Sequence, residues 1–416
     1  MDAPDGRGES PAAGGRCPVE AVPGGVPLFP MRRPCPFGLP AAYAEMREHA
    51  PVRRARLAGG SLVWLVSRYE DIRTLLGDAR LSSDRSRPGF PSLDSETAQL
   101  ATVPVFLGMD APDHLAHRRM FLSEFLPRRV DELRPFVQSC VDEHLDRMVA
   151  QGPPADLVTS LAMPVPALTI GRILGAPEGE LPRLEQLSVA ALTHRGTEAF
   201  EELFNFVREI ADDAAASPAS AGAGMIGRVL REYVAAGQLE VWSMLATVFV
   251  ILLAGYETTA HMISLGVLTL LHHPQQLTAV RRHPELVPQA VEELLRFLSV
   301  GELAAVRIAA EDVELRGTTI RAGDGVVLLG AAGNRDPRVF ENPERFDVHR
   351  SPGRHLAFGH GPHACIGARV ARLELTLVLT TLLERLPGLR LAQRITDDAV
   401  DYEAVLFGLK RLEVTW

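Results

Sequence analysis

The residues best suited to chemistry lie in the segment 358–367, which reads FGHGPHACIG. Its only cysteine, Cys365, follows an aromatic residue, Phe358, and precedes a stretch, 366–386, whose apolar spacing predicts a helix. Unpaired N–H groups and the helix dipole at such an N-terminus favour an anion and would lower the pKa of the thiol. Because cysteine binds metals as the thiolate, the pattern indicates a sulfur ligand for a haem iron. A buried structural cysteine beside a turn is the less favoured alternative.

The glycines around Cys365 would give this loop room for a cofactor. Gly361 and Gly367 would let the backbone approach the sulfur and the cofactor without a clash at Cβ. Backbone N–H groups that donate to the sulfur would then tune the potential of the iron. Phe358 would shield the thiolate.

A second group of polar residues, AGYETT at 254–259, interrupts a long apolar helix predicted over 239–272. Burying an acid and two hydroxyls inside a helix costs folding free energy unless each group has a hydrogen-bond partner. A threonine whose hydroxyl donates to the carbonyl four residues earlier also bends the helix. The functional interpretation is a groove for dioxygen, in which Thr258 holds the oxygen and a water and Glu257 relays protons. The alternative is a buried threonine whose hydroxyl is hydrogen-bonded within the core, beside a glutamate that forms an ion pair with a surface arginine.

A third motif, E-x-x-R at 293–296, places Glu293 and Arg296 on one face of a predicted helix, where they can form an ion pair. Arg345 is predicted to make a second, planar contact to Glu293. We interpret this trio as structural, because it would hold the segment that precedes the cysteine loop. A buried pair of this kind is costly to break from one side.

The overall composition excludes several classes of protein. The 416 residues are 46% hydrophobic and 23% charged, as in a globular protein with ample core. The net charge of −9 disfavours nucleic-acid binding, which needs a basic surface. The most apolar stretch, 241–256, falls short of the roughly 20 residues of a membrane span and runs into Glu257, so a buried helix is predicted.

Cysteine usage and the N-terminus indicate a cytoplasmic protein. No C-x-x-C motif occurs, and the sequence has no apolar stretch near its start that would resemble a secretory signal. A disulfide framework or a zinc site is therefore not expected. The four cysteines are far apart in sequence, at Cys17, Cys35, Cys140 and Cys365.

By composition the chain divides into a short tail and one large domain. Residues 1–27 are rich in small residues and proline and are predicted to be disordered, whereas 28–416 contain no linker and should form the catalytic domain. Residues 84–108 are irregular and predict a long functional loop. Helical spacing occurs over 114–126, 129–151, 157–175, 179–193, 197–215, 224–236, 239–272, 275–283, 285–298 and 366–386. Strands are predicted over 61–69, 303–309, 312–315, 325–329, 389–392 and 404–408, so the fold class is mainly α with a small β portion.

These three motifs, in this order and at these separations, resemble those of the cytochrome P450 family of haem-thiolate monooxygenases. The resemblance runs from about residue 28 to the C-terminus. The segments WLVSRYEDIR, MDAPDHLAHRR and FGHGPHACIGARVARLEL are similar to soluble bacterial members from actinomycetes, which often tailor secondary metabolites, including antibiotics. The resemblance implies a single-domain fold shaped as a triangular prism, with haem b between the long distal helix and the helix that follows the cysteine loop.

The resemblance also implies roles for individual residues. Cys365 would be the axial ligand, and Glu257 and Thr258 would be the acid–alcohol pair. The residues that would bind the haem are His114, Arg118, Ala254, Arg307, Phe358, Gly359, His363, Cys365 and Gly367. Those that would contact the substrate are Val300, Leu303, Ala304, Val405 and Leu406. Many bacterial relatives read H-T-R-x-R-R where this chain has HLAHRR at 114–119, a departure that affects the haem and partner contacts of that segment.

The implied activity is the insertion of one oxygen atom from O2, by hydroxylation or epoxidation, into a largely apolar small molecule such as a polyketide or terpenoid. The sequence shows no convincing dinucleotide fingerprint and has no room for a flavin domain, so electrons from NAD(P)H should arrive through a separate ferredoxin and ferredoxin reductase. A monomer is expected. Six arginines are candidates for the docking face, or equally for an ordinary solvated surface: Arg118, Arg119, Arg128, Arg129, Arg369 and Arg372.

Two other functions stay open at this point. A peroxide-driven or oxidative-coupling P450 would share the haem site, but peroxide use would need no relay through Glu257 and Thr258. A non-catalytic haem-binding sensor or carrier would need Cys365 and the fold but neither of those two residues.

Overall fold

The computed structural model describes residues 26–92, 105–194, 197–216, 224–351, 353–402 and 406–416. Residues 1–25 of the tail that was predicted to be disordered lie outside these ranges, as do residues 93–104 of the predicted long loop. Within the described ranges the chain is mainly helical and carries small β-sheets, so the predicted fold class is confirmed.

Helices account for most of the described residues. The α-helices are α1 (Ala41–His49), α2 (Tyr69–Leu75), α3 (Asp113–Leu122), α4 (Pro127–Gln151), α5 (Pro164–Leu174), α6 (Leu181–His194), α7 (Thr197–Ala216), α8 (Met225–Val229), α9 (Val241–His272), α10 (Pro274–Arg282), α11 (Val287–Leu298), α12 (Gly330–Gly333) and α13 (Ala368–Arg385). Proline at the first position begins α4, α5 and α10, where its missing N–H costs nothing.

The largest sheet has six strands in the order β1-β2-β3-β9-β6-β4, and most of its pairs are antiparallel. Three smaller sheets pair β10-β13-β5, β11-β12 and β7-β8. The strands are β1 (Leu28–Phe29), β2 (Val52–Leu57), β3 (Leu62–Val66), β4 (Leu81–Ser82), β5 (Ala155–Asp156), β6 (Leu303–Ala309), β7 (Val313–Leu315), β8 (Thr318–Ile320), β9 (Gly325–Leu329), β10 (Arg390–Leu391), β11 (Val400–Asp401), β12 (Gly408–Leu409) and β13 (Glu413–Thr415).

Two observed elements differ from the predicted ones, one because of a proline and one because of arginines. The single helix predicted over 157–175 divides into a π-helical turn, Val158–Ala162, and α5, because Pro164 has no N–H to continue the ladder. Strand β2 was not predicted, since its arginines interrupt the apolar alternation on which strand prediction depends. The long helix predicted over 239–272 is confirmed as α9.

Helix α9 forms the centre of the core. It packs against α5, α7, α11 and α13, and several of its hydroxyl side chains donate to carbonyls one turn earlier, as Ser264 does to Ala260 and Thr269 to Leu265. These bonds satisfy polar groups that would otherwise be costly in an apolar core. Among the described residues α9 is the helix that is long and apolar enough to cross a membrane by composition, but its contacts on several sides mark it as a core helix.

A buried ion pair ties α11 to the chain that leads to the cysteine loop. Arg296 donates to both carboxylate oxygens of Glu293, at 2.7 and 2.8 Å, and both side chains are buried. The prediction that Arg345 makes the second contact to Glu293 is wrong. That contact comes from Arg350, whose Nε lies 3.1 Å from a Glu293 oxygen.

The backbone conformation explains why Arg350, and not Arg345, contacts Glu293. A turn begins at Asn342, which has a positive φ of 45°, a conformation that asparagine adopts more readily than most residues. The turn presents the carbonyl of Arg345 to Nη2 of Arg296 at 3.3 Å, while the side chain of Arg345 is exposed. Arg345 therefore contributes its backbone to the network, and Arg350 contributes its charge.

A buried carboxyl on α13 gives the fold a distinct pH dependence. Glu374 is fully buried beside the hydroxyl of Thr169, and burial raises its pKa to about 8. A raised folded-state pKa contributes stability that is complete below the unfolded pKa and is lost as the pH rises through the folded value. We expect Glu374→Gln to remove this loss and to stabilise the protein by about 1–3 kcal/mol at pH 8, with little effect near pH 4.5.

Denaturant unfolding of both proteins at the two pH values checks this prediction. Glu384→Gln is the matched control, because Glu384 lies on the same helix but is exposed. A stability difference between Glu374→Gln and the parent that is the same at both pH values would rule out a buried neutral carboxyl.

Candidate active site

The loop before α13 is folded tightly around Cys365. The amide N–H of Cys365 donates to the carbonyl of Phe358 at 2.8 Å, which closes the loop. Gly359 and Gly361 have positive φ values of 67° and 73°, and a Cβ on Gly361 would lie 2.9 Å from the carbonyl oxygen of Leu76. Glycine is therefore favoured at both positions by the backbone conformation, and at Gly361 it is also required by the close approach to Leu76, directly after α2.

The electrostatic surroundings do not keep Cys365 ionised by themselves. Cys365 is exposed, yet desolvation by the surrounding protein raises the pKa of its thiol. The N–H groups of Gly367 and Ala368 and the charges of Arg118 and Arg372 act in the opposite direction. The expectation of a lowered pKa is therefore wrong for the protein alone, and ionisation depends on coordination to a cation, which deprotonates a thiol.

Two arginines and two histidines that can donate N–H groups converge beside the cysteine loop. His114 stacks on His363 with ring centroids 3.9 Å apart, and Arg118 donates from Nη2 to the carbonyl of Ala364 at 2.6 Å. Burial, together with the nearby charges of Arg307 and Arg118, lowers the pKa of His363 to about 3. Burial also lowers the pKa of Arg307 to about 10. The cluster therefore favours the binding of an anion.

His114 and Arg307 test whether this cluster fits a haem. The Nε2 atom of His114 is buried and has no hydrogen-bond partner among the described residues, and such buried atoms are rare. Arg307 is buried as well and donates to the carbonyl of its own neighbour, Val306, at 2.9 Å. Two propionates would satisfy both donors with charge-assisted hydrogen bonds. The donor set therefore fits the haem b that the sequence implies.

Replacement of Arg307, a predicted propionate donor, should weaken the retention of haem. We expect Arg307→Leu to release haem to an acceptor protein about 10-fold faster than the parent, because a hydrogen bond to a charged group contributes about 1.5–3 kcal/mol. The release is followed by the absorbance of the acceptor. Arg128→Leu is the control, since Arg128 is a fully solvated arginine on α4. Equal release rates for the parent and Arg307→Leu would contradict the assignment.

Helix α9 carries a partly exposed stripe of residues, which the haem cleft implied by the resemblance would border. Ala254 is exposed although it lies in the middle of a core helix, and Thr258 follows one turn later on the same face. The hydroxyl of Thr258 donates to the carbonyl of Ala254 at 2.8 Å. Glu257 is half-buried, and its Oε1 lies 3.7 Å from Nε2 of His261. An acid and an alcohol thus lie one turn or less from the exposed Ala254 on α9.

The predicted substrate contacts are only partly described. Val300 is buried directly after α11, and Leu406 is half-buried before β12. The side chains of Leu303 and Ala304, and all of Val405, lie outside the described residues.

Sequence reasoning missed a network that supports Phe358. Nε2 of His355 lies 3.1 Å from Oε2 of Glu292, and Arg372 pairs with Glu292 while lying 4.6 Å above the ring of Phe358. Although burial opposes it, hydrogen bonds from His355 and Arg372 lower the pKa of Glu292 to about 2. The adjacent acids Glu292 and Glu293 were the available signal, because consecutive helix positions face different directions and need separate partners.

Comparison with known proteins identifies this site. Residues 198–388 match the family model described as Cytochrome P450. Vitamin D3 dihydroxylase of Streptomyces griseolus is 40% identical over 94% of this chain and 97% of its own. Pentalenic acid synthase of Streptomyces avermitilis is 41% identical over 93% and 97%. The crystal structure of cytochrome P450 MoxA from Nonomuraea recticatena matches with a TM-score of 0.88 at 40% identity, over 93% of this chain and 98% of that one. The chain belongs to the cytochrome P450 family.

Membership confirms the predictions of fold, activity and cofactor. This P450 is a haem-thiolate monooxygenase, its cofactor is haem b, and its electrons come from NAD(P)H through redox partners. Bacterial P450s of this type take those electrons from a ferredoxin and its reductase and bind small-molecule substrates.

Proposed function

We propose that this P450 hydroxylates or epoxidises a bulky, largely apolar and aliphatic molecule, such as a polyketide or terpenoid, while a secondary metabolite is being tailored. The predicted substrate contacts Val300, Leu303, Ala304, Val405 and Leu406 are all aliphatic, which suits such a molecule better than a flat aromatic one. The names of similar proteins support the same class: pentalenic acid synthase, 20-oxo-5-O-mycaminosyltylactone 23-monooxygenase and mycinamicin VIII C21 methyl hydroxylase.

Haem b supplies the activation of dioxygen and the oxidising chemistry when it is bound. Cys365 would bind its iron through the sulfur, and His114, Arg118, Arg307 and His363 would hold its propionates. The tightly closed cysteine loop would orient the sulfur, and Phe358 would restrict access of water to it.

Glu257 and Thr258 would deliver protons at the opposite side of the cleft. The observation that carries this assignment is the exposure of Ala254 in the middle of a core helix, with Thr258 one turn later. The Thr258 hydroxyl can give up its bond to Ala254 and donate into the cleft instead. The Glu257 carboxylate can take up a proton from the protein side and pass it on to the site, which replaces the proton that Thr258 donates.

The physiological setting is part of the same proposal. We expect a cytoplasmic monomer that binds neither nucleic acid nor membrane and that receives electrons from a ferredoxin and its reductase. Arg118 and Arg372 are engaged with Ala364 and Glu292, so they serve the cysteine loop more than a docking face. The other candidates are exposed: Arg119, Arg128, Arg129 and Arg369.

Binding spectra test the proposed substrate class. Filipin I and mycinamicin VIII, which occupy two structures similar to this one, serve as bulky aliphatic probes, and biphenyl serves as the flat aromatic probe. We expect the aliphatic probes to shift the Soret band of the ferric protein toward the high-spin form at lower concentration than biphenyl. Tighter binding of biphenyl would contradict the proposed class.

The role of Thr258 is tested by the amount of product formed per NAD(P)H consumed. We expect Thr258→Ala to lower the product formed per NAD(P)H by about 10-fold or more, with hydrogen peroxide released instead, because proton transfer by a positioned group contributes about 10²–10⁴-fold. Thr269→Ala is the matched control, since Thr269 makes the same back-bond further along α9. Unchanged coupling in Thr258→Ala would contradict the relay.

A further inference from the structure

His261 on α9 is one of several buried side chains in the described residues with an unpartnered polar atom, and it is the one among them with two such atoms. Its side chain is only 2% exposed, and neither ring nitrogen has a hydrogen-bond partner among the residues that the structure describes. A buried imidazole in this state costs folding free energy that a leucine would not. Such a residue therefore calls for a functional explanation.

The position of His261 relates it to the proposed proton relay. Ala254, Thr258 and His261 are spaced so that they share one face of α9, and Glu257 is one turn before His261. The gap of 3.7 Å between Nε2 of His261 and Oε1 of Glu257 is too long for a hydrogen bond. A small rotation of the half-buried Glu257 side chain would close it.

The strand opposite α9 fixes the ring in this place. A Cβ on Gly408 would lie 1.9 Å from Nδ1 of His261, so the ring packs directly against the backbone of β12. Leu406, a predicted substrate contact, lies two residues before Gly408 in the chain that joins β11 to β12. The imidazole therefore lies between β12 and the proposed relay acid.

We infer that His261 is a positioning residue that donates from Nε2–H to the carboxylate of Glu257 and holds it at the edge of the cleft. This inference rests on the proposed function, since it needs Glu257 and Thr258 to serve as the relay. No covalent bond changes in this step. The neutral imidazole keeps its proton, and the carboxylate gains a fixed orientation from which it exchanges protons with the cleft.

One test observes the hydrogen bond without turnover. The ferrous carbon monoxide form of the holoprotein is labelled with ¹⁵N-histidine, and the His261 resonances are assigned by their loss in His261→Gln. We expect a neutral ring protonated at Nε2, with a resonance that shifts in Glu257→Ala. A ring protonated at Nδ1 alone, or one that is insensitive to Glu257→Ala, would overturn the inference.

A second test uses NAD(P)H, a surrogate ferredoxin and reductase, and filipin I as the probe, with released hydrogen peroxide as the readout. We expect His261→Leu to lower product per NAD(P)H by about 5- to 10-fold, below the range for direct proton transfer, without lowering the melting temperature. His261→Gln, which keeps a donor, should restore coupling. His261→Leu combined with Glu257→Gln should be no worse than Glu257→Gln alone. His283→Leu is the control, since His283 is exposed beside Glu285.

The outcomes distinguish a failure of the role inferred for His261 from a failure of the proposed relay through Glu257 and Thr258. Coupling equal to the parent in His261→Leu, failure of His261→Gln to restore it, or additive losses in the double variant would each overturn the role of His261. If Thr258→Ala releases peroxide and His261→Leu does not, the relay stands and only the inference fails. If Thr258→Ala stays fully coupled, the relay fails and the inference fails with it.

Discussion

Replacement of Cys365 with alanine should reduce dioxygen consumption driven by NAD(P)H and redox partners by more than about 100-fold, because the loss of even an outer-shell partner of a metal ligand costs about 10–100-fold. The protein should still bind haem through His114 and Arg307, since these contacts lie on other elements. Oxygen uptake by the haem-loaded variant, normalised to haem content, is the measurement.

Cys35→Ala is the matched control for this prediction. Cys35 is an exposed thiol remote in sequence from the cysteine loop, so its loss should leave oxygen uptake unchanged. Oxygen uptake by Cys365→Ala within a few-fold of the parent would contradict the assignment of Cys365 as the axial ligand.

Replacement of Glu293 with alanine should destabilise the fold by about 3–5 kcal/mol, because it leaves the guanidinium of Arg296 buried without its carboxylate. Arg350 would lose its partner in the same step. The measurement is the free energy of unfolding of the haem-loaded protein in denaturant, compared at equal haem content.

Two arginine variants distinguish the observed network from the predicted one. Arg345→Ala should change the stability by less than about 0.5 kcal/mol, because its side chain is exposed and its carbonyl remains in place. Arg350→Ala should cost more than Arg345→Ala. The reverse order would show that Arg345 and not Arg350 completes the pair with Glu293.

The parts of the site that the sequence predicted are those with rigid local requirements. The cysteine loop needs glycine at Gly359 and Gly361 for positive φ and at Gly361 for close approach. These conformational requirements impose a fixed spacing of residue types around Cys365, which can be recognised in the sequence without a structure. Helix α9 was predictable for a similar reason, since its apolar run is long and ends before Pro274.

The parts of the fold and the site that the sequence did not predict depend on the orientation of a turn or of a side-chain ring. Arg345 and Arg350 are equally plausible partners of Glu293 until the turn at Asn342 fixes which side chain points inward. His261 looks like an ordinary polar residue in a helix until Gly408, distant in sequence, is packed against its ring. Arg85, whose pKa is lowered by burial near Arg307, lies in an irregular segment with no periodicity to mark it.

The absorbance spectrum of the reduced protein under carbon monoxide tests the central claim most directly. A haem held by the thiolate of Cys365 predicts a strongly red-shifted Soret band in the parent protein, because the thiolate is an electron-rich axial ligand. A Soret band at the position of an ordinary haem–carbon monoxide complex, or no haem band after reconstitution with hemin, would contradict the account.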